Sequence, residues 1–166
     1  RVALSYAQQA HFDIRGALAS LRDAVELDPA NALAWARLSE TWLMLRHMDR
    51  SLDAADRAVS LNPDLSRTQT VLGYARLMQV KTRESRDAFD KAVRLDPADP
   101  MPRLGLGLAK IRDGDLKGGR REIEMAVCLD PNNSLLRSYL GKAYFEEKRD
   151  KDAAVQFGIA KELDPR

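Results

Sequence analysis

The sequence predicts an all-α solenoid of tandem helical hairpins, on three observations. Leu-Asp-Pro, once Leu-Asn-Pro, recurs with its prolines at Pro29, Pro63, Pro97, Pro131 and Pro165, each 34 residues after the last. Alanine lies five residues before every proline (Ala24, Ala58, Ala92, Ala126, Ala160), and leucine twenty-five before it (Leu4, Leu38, Leu72, Leu106, Leu140). Between these markers apolar residues fall at helical spacing. A fixed period of this length marks supersecondary units that bury their apolar faces only by stacking on one another.

Each element follows from local chemistry. From Asn31, the residues Leu33, Trp35, Leu38, Trp42 and Leu45 form the stripe of a first helix. Leu52, Ala55, Val59 and Leu61 form that of a second. Polar residues mark helix starts: Asn31, Ser66, Asp99 and Asn133 before first helices, and Asp13, Asp49, Thr82, Asp115 and Asp150 before second ones. Pro100 and Pro102 suit a first turn, where the missing N–H costs nothing. The proline of each Leu-Asp-Pro stops the second helix, because it lacks an N–H and disfavours the α conformation just before it. The marker leucine is expected to face the next repeat, and the alanine to sit where the two helices of one repeat cross.

The 34-residue pattern resembles the tetratricopeptide repeat, with its W-x2-L-G-x2-Y, A-x3-F and terminal A and P positions. Leu140, Gly141, Tyr144, Ala153, Phe157, Ala160 and Pro165 carry the resemblance in the last repeat; Trp35, Leu38, Ala58 and Pro63 carry it in the second. Leu72, Gly73, Phe89, Ala92 and Pro97 do so in the third, and Leu106, Gly107, Gly119, Ile123, Ala126 and Pro131 in the fourth. Ser5 and Ser39 stand where the family has a small glycine. The resemblance implies a right-handed superhelical solenoid, read as one domain over 1–166 with repeats 1–31, 32–65, 66–99, 100–133 and 134–166. The array is expected to continue in a longer parent protein, or its end to stack on another copy. Residues 136–150 also resemble repeats of large bacterial envelope proteins, which leaves the cytoplasm and a bacterial periplasm both open.

Composition narrows the function. With 27 basic and 25 acidic side chains the net charge is +2, without the basic excess of a phosphate-neutralising protein, so no nucleic-acid partner is expected. No apolar stretch reaches the roughly 20 residues of a membrane-spanning helix. Cys128 shares its repeat position with Glu26, Ser60, Arg94 and Glu162, a column that reads as solvent-facing. The two histidines, His11 and His47, fall in hairpin turns at least two repeats away, too far to activate it in an array where repeats touch only their neighbours. No catalytic residue, metal ligand or cofactor is expected. Gly105 and Gly107 read as close-packing positions in a helix. Gly114, Gly118 and Gly119 suggest a flexible fourth repeat.

The resemblance implies that the first helices line a concave surface where a protein or peptide binds. Its positions fall on Leu33, Glu40 and Met44; on Arg67, Thr70, Tyr74 and Met78; on Met101, Leu104, Leu108 and Arg112; and on Ser138 and Lys142. With Leu43, Leu77 and Ile111 among them, this surface reads as an apolar groove for an amphipathic helix or extended peptide, and Arg67, Arg112 and Lys142 would add charge selection. The alternative is an architectural segment that associates with itself, as a homo-oligomer stacked end to end.

Overall fold

The structure, a computed structural model, describes residues 1–165. Among the described residues lie ten α-helices and no strand: α1 Val2–Ala10, α2 Ile14–Leu27, α3 Ala32–Met44, α4 Met48–Leu61, α5 Ser66–Met78, α6 Thr82–Leu95, α7 Pro100–Arg112, α8 Leu116–Leu129, α9 Ser134–Glu146 and α10 Asp150–Leu163. No helix among them is long and apolar enough to cross a membrane. The chain divides into two compact units, α1 to α5 within Arg1–Lys81 and α6 to α10 from Thr82 onward. The division falls inside the third repeat.

One turn joins the two helices of every repeat. The N–H groups of Asp13, His47, Lys81, Asp115 and Arg149 each reach back five residues, to the carbonyls of Gln8, Trp42, Arg76, Lys110 and Tyr144. The preceding residue bonds three back in each case, which completes a Schellman motif. That preceding residue has positive φ: Phe12, Arg46, Val80, Gly114 and Lys148, at 60°, 62°, 62°, 91° and 59°. Only the fourth repeat uses glycine there.

The next residue also caps the second helix. Asp13 and Asp115 accept from the N–H groups of Gly16 and Gly118 at 2.8 and 2.9 Å. His47 and Arg149 hold the same position without a side-chain cap bond. Three expected caps are thereby corrected: Thr82 and Asp150 are the first residues of their helices, and Asp49 lies within the first turn of α4. Asn31, Asp99 and Asn133 do cap first helices, whereas Ser66 is the first residue of α5, preceded by Leu65.

The Leu-Asp-Pro stops work as the sequence predicts. Asp28, Asn62, Asp130 and Asp164 are extended, with φ between −138° and −146°, as a residue before proline must be. Their N–H groups still bond to the carbonyls of Ala24, Ala58, Ala126 and Ala160, so the helix ends without an orphaned group there. Four of the five leucines expected to face the next repeat are open to solvent, Leu27 at 75% and Leu95, Leu129 and Leu163 less so, while Leu61 is half-buried.

Packing within each unit runs between neighbours. In the first, Leu21, Ala24 and Val25 of α2 meet Ala34, Leu38 and Trp42 of α3, together with Ala54 of α4. In the second, Ile123, Ala126 and Val127 of α8 meet Leu136, Leu140 and Ala143 of α9, with Leu104 of α7. The repeated alanine therefore packs between repeats, not at the crossing within one. That crossing is made by small pairs. The Ser39 hydroxyl donates to the Ser51 carbonyl at 2.9 Å between α3 and α4. Gly107 and Gly119 meet between α7 and α8, so both are close-packing positions, as expected for Gly107.

Polar clusters add register in the second unit. Arg120 of α8 pairs with Glu124 and, at 2.8 Å, with Glu147 after α9, while Tyr144 donates to Glu124 at 2.7 Å. Burial opposes the charge on Arg120, but the hydrogen bonds it donates to Glu147 and Glu124, with the attraction of their charges, outweigh it and raise its pKa. The Thr82 hydroxyl and Arg86 together hold the Asp113 carboxyl below the usual carboxylate range.

Candidate functional site

In the first unit, the face carrying the expected residues of α3 and α5 is organised by charge. Glu40 lies between two arginines, accepting from Arg37 and from Arg67 at 2.6 Å each. Arg37 also donates to the Gln9 side-chain oxygen, and its guanidinium stacks 3.9 Å from the centre of the Tyr6 ring. The Gln9 amide in turn donates to the Thr41 hydroxyl at 3.2 Å and lies 4.0 Å from the Met44 sulfur. A continuous polar chain thus runs from α1 through α3 to α5, across the face read as an apolar groove edged by charge, and Arg67 is part of it. Its physical basis is Arg37, only 9% exposed: a buried guanidinium must be paired, and it collects a carboxylate, an amide and an aromatic face.

Of the expected residues here, Glu40 and Arg67 are brought into direct contact. Leu33, Met44 and Met78 are exposed, the two methionines holding the same repeat position on α3 and α5. Tyr74 is half-buried. Thr70 is 4% exposed and donates to the Ser66 carbonyl at 2.8 Å, so its hydroxyl belongs to α5 itself and not to a contact surface. Arg37 and Thr41 were missed. One signal for Arg37 was present: it shares its repeat position with Ala3, Val71, Gly105 and Tyr139, and is the single charge in that column.

In the second unit the expected surface is partly interior. Leu104 is 2% exposed and belongs to the core, because it points into the seam between α8 and α9. Met101, Leu108 and Ile111 pack against the same core and are half-buried. Arg112 is exposed. Ser138 lines an open hollow of about 430 Å³ with Ser134, Leu135, Ala160, Lys161 and Asp164. The Lys142 ammonium lies 4.8 Å from the Tyr139 ring centre, and Phe145 nearby on α9 is 62% exposed. Cys128 is exposed, in keeping with the solvent-facing column to which the repeat assigns it. No group of three or more Cys, His, Asp or Glu side chains capable of holding a metal ion occurs among the described residues.

These surfaces combine exposed apolar side chains with paired charges. Comparison with known proteins agrees as to fold. The tetratricopeptide repeat family model matches residues 2–66. No curated sequence matches the chain. Among solved structures, the chain is similar to TTC0263, a thermophilic tetratricopeptide repeat protein of Thermus thermophilus, with 20% identity and a TM-score of 0.92, covering 99% of this chain and 90% of that one. It is similar to PilW, a type IV pilus biogenesis factor, with 22% identity and a TM-score of 0.83 over 99% of this chain and 76% of that one. YrrB, a tetratricopeptide repeat protein with an unusual peptide-binding site, gives 17% identity and a TM-score of 0.63 over 99% and 84%.

Proposed function

Because the chain carries tetratricopeptide repeats, matched directly in residues 2–66 and in fold along the rest, we propose that it is a protein–protein interaction scaffold whose first-helix face receives a peptide segment of a partner. The observation that carries this reading is the pairing of exposed apolar side chains with a prearranged ionic network on that face. Leu33, Met44 and Met78 are open to solvent on the same two helices that carry the Arg37–Glu40–Arg67 cluster. Methionine adapts to irregular partners through its flexible thioether. The Arg67 side chain is 39% exposed while one of its terminal nitrogens is held by Glu40, so it is reachable by a partner acceptor. Binding here needs no chemistry beyond contact, and we propose no catalytic role. The peptide-binding relative lends the reading support by fold alone.

The test is to pan a random peptide display library on the whole chain. Recovered peptides are then titrated against Arg67→Ala and against the double variant Met44→Ser, Met78→Ser. Both variants are expected to weaken binding about tenfold or more, as truncated anchor residues do, with helicity and melting unchanged. Failure to enrich any peptide, or undiminished binding to both variants, overturns the reading. Sedimentation of the unliganded chain addresses the competing self-associating role, which requires a concentration-dependent mass.

A further inference from the structure

One seam of the repeats differs from its counterparts, where the first helix of a repeat lies along its own second helix. In the first repeat this seam is closed by Ser20 donating to Gln8 at 2.8 Å. In the fourth, Lys110 and Arg103 both donate to Glu122, at 2.7 and 3.2 Å. In the fifth, Arg137 donates to Gln156 at 3.1 Å. The repeat equivalents in the second repeat are Trp42 for Gln8 and Lys110, Trp35 for Arg103 and Arg137, and Ala54 for Ser20, Glu122 and Gln156. No polar bridge can form from that set.

The seam there stays open instead. A hollow of about 390 Å³ lies between α3 and α4, lined by the two indoles and Ala54 and edged by Arg50, Asp53 and Arg57. The Arg50 guanidinium sits 4.8 Å from the centre of the Trp42 ring, which is also met edge-on by His47 at 5.2 Å. Trp35 is pinned by its N–H, which donates to the Pro29 carbonyl at 3.0 Å. The aromatic walls are thus held in place before any ligand arrives.

We infer that this hollow binds a partner-protein segment presenting an aromatic side chain beside a carboxylate. The volume falls in the range of about 300–1,000 Å³ typical of ligand pockets and takes one aromatic side chain with its neighbours. Indole walls favour an offset or edge-on aromatic guest. At the rim, two guanidiniums stand against the single carboxylate of Asp53, so an acidic flank is attracted and a basic one repelled. The site lies in the seam between α3 and α4 and uses none of the groups of the first-helix network, so it stands or falls separately from the function proposed above.

The test uses the whole chain and an acetylated, amidated Asp-Phe-Glu peptide, with Lys-Phe-Lys and Asp-Ala-Glu as controls. The readout is the pair of indole N–H resonances in a 15N-labelled sample, since the chain has two tryptophans, both at the site. Asp-Phe-Glu is expected to shift both resonances saturably with a Kd on the order of 1 mM, as a short peptide in one open pocket should, and the two controls to leave them unmoved. Ala54→Glu restores the group that closes the fourth repeat's seam and should abolish the shifts. Should that variant fail to fold, Arg57→Ser, at an exposed position, should weaken binding about three- to fivefold, as losing an exposed charge partner does. Indole resonances unmoved by Asp-Phe-Glu, equal shifts from Lys-Phe-Lys, or full binding by a folded Ala54→Glu protein each overturn the proposal.

Discussion

Gly107 on α7 and Gly119 on α8 meet backbone to backbone. A Cβ on Gly107 would stand 2.7 Å from the Gly119 carbonyl oxygen, and one on Gly119 2.5 Å from that of Gly107. Neither carbonyl can yield, because each is fixed in a helical ladder. Gly107→Ala and Gly119→Ala are therefore expected to destabilise by about 2 kcal/mol, overpacking outweighing the roughly 1 kcal/mol that alanine gains over glycine in a helix. Thermal melts check this: a rise in Tm for either variant would show that the helices do not touch there.

The positive-φ column offers a test of opposite sign. Val80 adopts φ 62°, a region in which a β-branched side chain is strained, and the equivalent Gly114 sits at 91°, where an added Cβ would meet nothing within 4 Å. Val80→Gly should stabilise by about 1 kcal/mol and Gly114→Ala should cost about as much, from backbone conformation alone. Urea denaturation of both variants reads the two signs directly, and equal signs would refute the assignment of strain.

Ser85 on α6 is fully buried and its hydroxyl has no hydrogen-bond partner, whereas the equivalent Ser51 shares the Ser39 hydroxyl at 3.0 Å. An orphaned buried hydroxyl costs about 1–3 kcal/mol. Ser85→Ala should accordingly be neutral or stabilising by about 1 kcal/mol, and Ser39→Ala destabilising. A marked loss of stability in Ser85→Ala, measured by chemical denaturation, would contradict this.

Burial, then the hydrogen bond to Glu124, pushes the Tyr144 phenol above the usual tyrosine range. The folded protein therefore holds this proton more tightly than the unfolded chain. The stability it contributes is whole below the unfolded phenol pKa of about 10 and fades as pH rises through the higher folded value. Alkaline spectrophotometric titration of the folded protein should find a phenol ionising above the usual tyrosine range, assigned to Tyr144. Tyr144→Phe should remove that late step and flatten the alkaline fall in stability; a titration curve unchanged by Tyr144→Phe above the usual tyrosine range would rule the effect out.

Much of the fold is legible in the linear pattern. Proline at every thirty-fourth position stops five helices because its chemistry acts on its immediate neighbours, and Asp13, Asp115, Asn31 and Asn133 cap by reaching three residues along the chain. Such effects need no knowledge of what lies across the molecule. The expected caps at Asp49, Thr82 and Asp150 missed because the Schellman turn, not the nearest polar residue, sets where the second helix begins.

The character of the surfaces depended on neighbours distant in sequence. Leu104 and Leu108 are alike in composition and lie one helical turn apart, yet the first is core and the second half-open. Glu40 and Arg67 were legible as positions of one surface, but not their pairing, nor the approach of Arg37 to the same carboxylate. A period of 34 residues specifies which positions meet. What they do on meeting is set by the particular side chains that arrive from three helices at once, and pairing energies in a partly buried setting turn on distances that only folding supplies.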